Sequence, residues 1–267
     1  MNTLTSNFDP RGILTLSMNR PAVHNAFDAV MINELTTALG EAEQDDNVRV
    51  VVITGTGACF SAGGDLNWMR ALVDASEADN KRDALELAKL MRDLNYLSKP
   101  TIARINGAAF GGGLGLLACC DVTISVESAR FGLTEARLGL VPAVISPYVF
   151  RRIGEHNARR YFMSAERFDC QQARDIGLIQ QIVPLEQLDE AVEKVVAQLL
   201  LGGPLAVAQS KQLAFAVAGC SAKSQEAMDQ FTASLIAELR VSAEGQEGLT
   251  AFLEKREPNW ISDPKNE

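Results

Sequence analysis

Aliphatic and β-branched runs alternate with segments of helical periodicity along the chain as far as Pro184. The runs are bounded by turn residues and predict buried strands at residues 13–18, 48–54, 101–105, 122–126 and 179–183. In the intervening segments 29–45 and 81–97, apolar residues recur every three to four positions and predict amphipathic helices. Strands that alternate with helices indicate an α/β fold.

The pattern changes after Pro184 to nearly continuous helical periodicity. Glycine breaks at 202–203 and at Gly219 divide it into predicted helices at 188–201, 204–218, 223–240 and 243–255. This predicts a core over residues 1–200 and a helical C-terminal region over 201–267. Its apolar stripe is larger than a monomer surface usually tolerates, so we expect burial between subunits.

Composition limits the classes of protein that fit. With 267 residues, 47% of them hydrophobic, the chain can bury a large core, and its net charge of −9 opposes binding to nucleic acid and anionic membranes. No apolar run approaches the roughly 18 residues of a membrane helix, and the N-terminus lacks a signal pattern, so we expect a cytoplasmic protein. Five cysteines, with Cys119 and Cys120 adjacent in an apolar stretch, are expected to be reduced core residues.

Several common active-site types do not fit the sequence. The chain has two histidines, His24 in a loop-like segment and His156 at a predicted helix start, and neither has zinc-ligand spacing. We expect surface or capping roles for both. The glycine cluster at 111–115 lacks the Lys-Ser/Thr of a phosphate loop, and Leu116 stands where a dinucleotide motif needs its last glycine.

Two glycine-rich turns follow predicted strands, at residues 60–66 (FSAGGDL) and 106–113 (NGAAFGGG). Turns of alanine and glycine expose backbone N–H groups, and a helix start adds the positive end of its dipole. Two such groups that face one point form an oxyanion hole. Either turn alone is also explained by close packing of a helix on a strand; the pair favours function.

An oxyanion hole that stabilises an enolate needs an acid or base beside it, and Glu135 is the candidate. It follows a short strand-like segment and begins an apolar stretch, so burial would raise its pKa toward the range of a proton shuttle. The alternative is an exposed glutamate at a helix N-terminus.

These segments resemble the crotonase, or enoyl-CoA hydratase/isomerase, superfamily. The resemblance covers almost the whole chain, and residues 119–121 and 141–148 are most similar to bacterial hydratases of methylglutaconyl-CoA and isohexenylglutaconyl-CoA. The segments that carry it are 19–21, 24–26, 60–66, 106–113, 120–121, 131–135, 138–142, 247–252 and 254–256.

The resemblance implies a ββα spiral core and C-terminal helices that build a homotrimer, commonly paired into a dimer of trimers. It implies an acyl-CoA substrate, with coenzyme A as part of the substrate, and no further cofactor or metal. Gly64 and Gly112 would supply the oxyanion N–H groups, and the backbone near Val23 and Ala62 would meet the adenine. Lys255 or Arg256, from the same or a neighbouring subunit, would reach the phosphates. The other residues implied to bind substrate are Gly63, Asp65, Leu66, Trp68, Gly111 and Pro142.

The sequence departs from the two-glutamate hydratases at one position. Glu135 matches their second catalytic glutamate, but Gly115 stands at the place of the first. Enoyl-CoA isomerases work with one glutamate, whereas the branched-glutaconyl hydratases also lack the first one. We expect a hydratase in which Gly115 leaves room for water or a substrate carboxylate, with a Δ3,Δ2-enoyl-CoA isomerase as the alternative.

A substrate with a distal carboxylate would need a buried cation or several N–H donors. Arg70 and Arg137 are the candidates by position, although either is equally explained as a surface ion-pair residue. We expect an aliphatic acyl pocket lined by Trp68, Met69, Leu72, Val141, Val144 and Ile145. RNA binding is a remote alternative, because the chain has no run of basic residues interleaved with aromatic ones and its net charge is negative. A scaffold role requires both an exposed Glu135 and glycine turns that do not converge.

Overall fold

The computed structural model describes residues 2–261. The strands are β1 Leu4–Asp9, β2 Ile13–Met18, β3 Val50–Gly55, β4 Cys59–Ser61, β5 Thr101–Ile105, β6 Ala108–Phe110, β7 Val122–Val126, β8 Arg130–Gly132, β9 Arg167–Asp169 and β10 Gln181–Val183. The helices are α1 Ala29–Gln44, α2 Leu66–Val73, α3 Glu77–Tyr96, α4 Gly112–Cys119, α5 Ser146–Ser164, α6 Cys170–Asp175, α7 Leu188–Leu201, α8 Pro204–Val217, α9 Ala222–Val241 and α10 Ala243–Glu254.

The larger sheet has the order β1-β2-β3-β5-β7-β10. All of its pairs are parallel except β1 with β2. The five predicted strands are confirmed: β2, β5 and β7 have the predicted bounds, and β3 and β10 begin two residues late. Strand β1 was not predicted, because it is a polar edge strand in which only Leu4 is buried.

The smaller sheet, in the order β4-β6-β8-β9, holds the site. Each strand is three residues long, too short for periodicity to be recognised. Strands β4, β6 and β8 run parallel, so their carboxyl ends lie at one edge of the sheet. Ligands bind at this edge in open α/β sheets.

The helices pack around these sheets as the apolar pattern requires. Helix α4 is apolar all round, and all of its residues after Gly112 are buried. Helix α5 is broken at Gly154, whose φ is 73°, and His156 lies just after the break, as predicted. Cys59, Cys119, Cys120 and Cys170 are buried free thiols as predicted, whereas Cys220 is half-buried.

The C-terminal helices α7 to α10 are confirmed close to their predicted bounds. Part of this region packs on its own chain: α9 lies against α3, and α10 lies against α2. Helix α8 has no buried residue and exposes Leu205 and Leu213. Burial between subunits and the division at residue 200 both stay predictions. Within residues 2–261 no single helix could span a membrane; only segments 185–201 and 204–217 together, bent by 105°, reach that length and composition.

Candidate active site

Three segments that were predicted to carry chemistry meet at the edge of the smaller sheet. Gly63 and Gly64 follow β4, Gly111 follows β6, and Glu135 lies three residues after β8. A Cβ built on Gly63 would lie 3.0 Å from the Phe110 carbonyl oxygen and 3.7 Å from Gly111 Cα. The two glycine turns therefore converge.

Glycine is required at both turns by conformation and by space. Gly63 has φ 91° and Gly111 has φ 47°, which side chains rarely adopt. Past the second turn, a Cβ on Gly113 would lie 2.7 Å from Ser61 Cβ. The glycines therefore also allow close packing of α4 on β4, which was the alternative explanation for these turns.

The N–H groups of Gly64 and Gly112 are available to a ligand. The Phe27 N–H donates to Gly63 O and the Asp65 N–H donates to Phe27 O, a parallel bridge that directs the Gly64 N–H away from Phe27. Gly112 is the first residue of α4, where a helix leaves N–H groups unpaired. Neither N–H donates to another described residue.

Glu135 places its carboxylate beside these donors. The residue is half-buried, but Oε2 is buried and has no hydrogen-bond partner within the described part of the chain. Burial raises the pKa of the Glu135 carboxyl to about 7, against a smaller opposing effect of its own backbone N–H. A Cβ on Gly111 would lie 3.2 Å from Glu135 Oε1. The alternative of an exposed carboxylate is therefore wrong.

A cavity of about 1080 Å³ opens in front of these groups. The cavity is lined by nearly every residue predicted for the site and by all residues of the predicted acyl pocket. The predicted residues that line it are Val23, Ala62, Gly63, Gly64, Asp65, Leu66, Trp68, Met69, Arg70, Leu72, Gly111, Gly112, Glu135, Arg137, Val141, Pro142, Val144 and Ile145.

Lys255 does not line the cavity of its own chain, so its contact with the phosphates stays a prediction. It is exposed and ends α10 in the left-handed conformation, with φ 58°. Arg256, the other candidate for the phosphates, does line the cavity and is paired with Glu247 and Glu254.

Asp65 lines the cavity, but its side chain has a structural task. It caps α2 by accepting from the N–H groups of Asn67 and Trp68, and it pairs with Arg20 at 2.9 Å. Burial opposes its ionisation, but these donors outweigh burial and lower the pKa of Asp65. Asp65 therefore fixes the helix that carries Trp68, and direct substrate binding by its side chain stays a prediction.

The expectation that Gly115 leaves room for water or a carboxylate is wrong. A Cβ on Gly115 would lie 2.1 Å from Ile145 Cγ2 and 2.6 Å from Ile145 Cβ. Ile145, directly before α5, therefore fills the space that a side chain at position 115 would need. The sequence indicates the missing glutamate but gives no signal of what replaces it.

Arg240, a cation at the cavity wall, was not among the predicted site residues. It lies in the last turn of α9, where a basic residue is ordinary because it complements the helix dipole, so its sequence position gave no signal. Arg70 and Arg137, the predicted candidates, line the cavity but are exposed.

The chain is similar to known proteins over almost its whole length. The family described as enoyl-CoA hydratase/isomerase matches residues 9–263. A 2,3-dehydroadipyl-CoA hydratase of Escherichia coli (strain K12) is 32% identical over 249 residues, 93% of this chain and 94% of the relative. The crystal structure of an enoyl-CoA hydratase from Shewanella pealeana is 42% identical with a TM-score of 0.79, over 97% of this chain and 96% of that one. Another, from Mycobacterium avium, is 33% identical with a TM-score of 0.85, over 98% and 100%. The chain is therefore an enzyme of the enoyl-CoA hydratase/isomerase family, the crotonase superfamily.

Proposed function

We propose that this enzyme adds water to the α,β double bond of a branched glutaconyl-type CoA thioester, such as 3-methylglutaconyl-CoA or its isohexenyl analogue. The observation that carries the proposal is the Glu135 carboxylate, which is buried against Gly111 beside the free N–H groups of Gly64 and Gly112. A general acid-base with a pKa near neutrality, next to two fixed donors, is what enolate chemistry requires.

The reaction uses the two N–H groups as donors and Glu135 first as a base and then as an acid. The thioester carbonyl oxygen accepts hydrogen bonds from Gly64 and Gly112, and each such donor is worth about 3 kcal/mol in the transition state. Glu135 takes a proton from a water molecule as the water oxygen attacks the β-carbon of the substrate, and the enolate forms. Glu135 then returns that proton to the α-carbon, so the product gains one water and the enzyme is regenerated.

Coenzyme A is proposed to lie along the mouth of the cavity. Val23 and Leu66 expose apolar surface there, 40% and 52% respectively, and Ala62 lies between the glycine turn and β4. This surface suits an adenine ring, and Arg256, one of five arginines at the cavity, is proposed to meet the phosphates. No cofactor enters the reaction, and a cytoplasmic location stays a prediction.

The acyl group is the finer part of the proposal. The inner cavity is aliphatic, with Leu72, Val144 and Ile145 among its walls, and admits a branched chain. The similarity to a 2,3-dehydroadipyl-CoA hydratase supports an acyl group that ends in a second carboxylate.

The test compares kcat/KM for 3-methylglutaconyl-CoA, isohexenylglutaconyl-CoA, crotonyl-CoA and a 3-enoyl-CoA. A site built for a carboxylate is expected to lose about a hundredfold or more on crotonyl-CoA, because its polar partner is left unpaired. Equal rates on crotonyl-CoA would contradict the branched-dicarboxylate assignment.

A Δ3,Δ2-enoyl-CoA isomerase is the second candidate, favoured by one observation. Glu135 is the sole glutamate beside the glycine turns in residues 2–261, and Ile145 occupies the space of the other one. A single carboxylate can move a proton between two carbons without holding water. Faster conversion of the 3-enoyl substrate, with no oxygen-18 incorporated from labelled water, would establish the isomerase.

A further inference from the structure

Arg240 differs from the other arginines at the cavity wall. Arg70, Arg137, Arg167 and Arg256 are exposed, whereas the Arg240 side chain is 12% exposed. A cation shielded from water interacts more strongly with an anion than an exposed one, because solvent screens exposed charges.

Part of the Arg240 guanidinium is unused. Its Nη1 donates to Asp83 Oδ2 at 3.3 Å and to Asn80 Oδ1 at 3.4 Å, both at the long end of the hydrogen-bond range. Its Nε and Nη2 donate to no other described residue, although a guanidinium has five N–H donors. Asp83 and Asn80 lie behind Arg240, because neither lines the cavity.

Trp68 connects this guanidinium to the oxyanion site. A Cβ built on Gly64 would lie 3.5 Å from Trp68 Cζ3, and the Arg240 guanidinium carbon lies 6.0 Å from the Trp68 ring centroid. Trp68 Nε1 donates to Asp83 Oδ1 at 2.9 Å, which fixes the ring. Trp68 therefore lies at the cavity between the Gly64 turn and the Arg240 guanidinium.

We infer that Arg240 binds the distal carboxylate of the acyl group through its free Nε and Nη2 donors, and that it sets the preference for dicarboxylic acyl-CoA substrates. The inference rests on the proposed function, since it gives that site its substrate selectivity. When the substrate carboxylate joins Arg240 and Asp83, the cluster of these three groups has two negative charges and one positive charge. Burial raises the pKa of Asp83, so the cluster can take up a proton when the substrate binds.

A purely structural role is the competing explanation. Arg240 joins α9 to α3 through Asp83, and losing one partner of a buried ion pair destabilises a fold. Such a loss would affect every substrate alike. Selectivity between two substrates that differ only in the carboxylate separates the two explanations.

The experiment measures kcat/KM for 3-methylglutaconyl-CoA and 3-methylcrotonyl-CoA, a pair that differs by one carboxylate. In Arg240→Met the preference for the first substrate is expected to fall by about tenfold to a hundredfold, as for a lost charge-assisted hydrogen bond. The activity on 3-methylcrotonyl-CoA is expected to fall by less, because this substrate has no carboxylate for Arg240 to bind. Arg70→Gln and Arg137→Gln are the matched controls, and both are expected to keep the preference.

Three outcomes would overturn the inference. The first is a wild-type enzyme without the preference, the second is an equal loss on both substrates in Arg240→Met, and the third is a loss of preference in Arg70→Gln or Arg137→Gln instead. If Arg240→Met does not fold, Arg240→Lys keeps the charge but loses the planar fork, and it is expected to lose part of the preference.

A binding measurement separates this inference from the proposed reaction. Wild-type enzyme is expected to bind glutaryl-CoA at least about tenfold more tightly than butyryl-CoA, and Arg240→Lys is expected to reduce that ratio. If the ratio depends on Arg240 but no enoyl-CoA is hydrated, the proposed function fails and the carboxylate site stands. If hydration proceeds and the ratio is independent of Arg240, the inference fails alone.

Discussion

Glu135 is the proposed acid-base of this enzyme, and its carboxylate is buried. Its Oε2 has no partner among the described residues, and few fold-level interactions depend on it. Glu135→Gln is therefore expected to keep the fold and the affinity for coenzyme A while lowering kcat at least about a hundredfold. Steady-state kinetics, with circular dichroism and a coenzyme A titration as controls, test this expectation. Hydration at the wild-type rate would exclude Glu135 as the acid-base.

The same carboxylate is expected to make stability depend on pH. Burial raises the pKa of Glu135 from 4.5 to about 7, so between these values the folded state binds more protons than the unfolded state. Its contribution to the free energy of unfolding is thus fully present below pH 4.5 and is lost as pH rises through 7, by up to about 3 kcal/mol.

Urea unfolding of wild type and Glu135→Gln at pH 4.5 and pH 8, at one protein concentration, measures this effect. The variant is expected to gain stability relative to wild type at pH 8. An unchanged difference between the two proteins at both pH values would mean that Glu135 titrates like an exposed glutamate.

At the scale of elements, two substitutions at the N-terminus of α4 can separate the effect of the Gly112 N–H on catalysis from the effect of an added side chain. A Cβ on Gly112 would lie 2.9 Å from Phe27 Cδ2, so any side chain there meets the Phe27 ring. Gly112→Ala has this contact but keeps the N–H, whereas Gly112→Pro loses the N–H at a first helical position that proline tolerates. Gly112→Pro is expected to have about a hundredfold lower kcat than Gly112→Ala. Similar kcat values in the two folded variants would remove Gly112 from the oxyanion site.

The elements that could be predicted from sequence were those with a continuous apolar run or a long helical period. Strand β7 is an example, because it is buried in the larger sheet and lies beside β5 and β10. The strands β4 and β6 are too short to show a hydrophobic period. The glycine motifs that follow them were nevertheless recognised, because small residues at a turn expose backbone N–H groups. Ile145 was predicted to line the acyl pocket, but its filling of the space beside Gly115 was not. That contact and the place of Arg240 at the cavity could not be predicted, because both arise only when the start of α5 and helix α9 pack against distant segments.

At the scale of the whole molecule, α8 carries several of the large apolar side chains that are exposed in one chain. Leu205, Leu213 and Val217 are 73%, 64% and 81% exposed, which suits a homotrimer or a dimer of trimers. Light scattering at micromolar concentration is expected to give a trimer or hexamer, and Leu213→Glu is expected to weaken it. A wild-type monomer would refute this prediction.

The larger sheet supports the fold and the smaller sheet holds the site, and this separation affects how members of the family can diverge in substrate. Every described residue at the cavity lies outside the six strands of the larger sheet. Substitutions within that sheet are therefore expected to change how much folded enzyme a cell holds, while leaving the choice of substrate alone. New acyl specificities can arise by exchanging residues on α2, α9 and the segment before α5, so relatives can diverge in metabolism while their scaffold drifts almost neutrally.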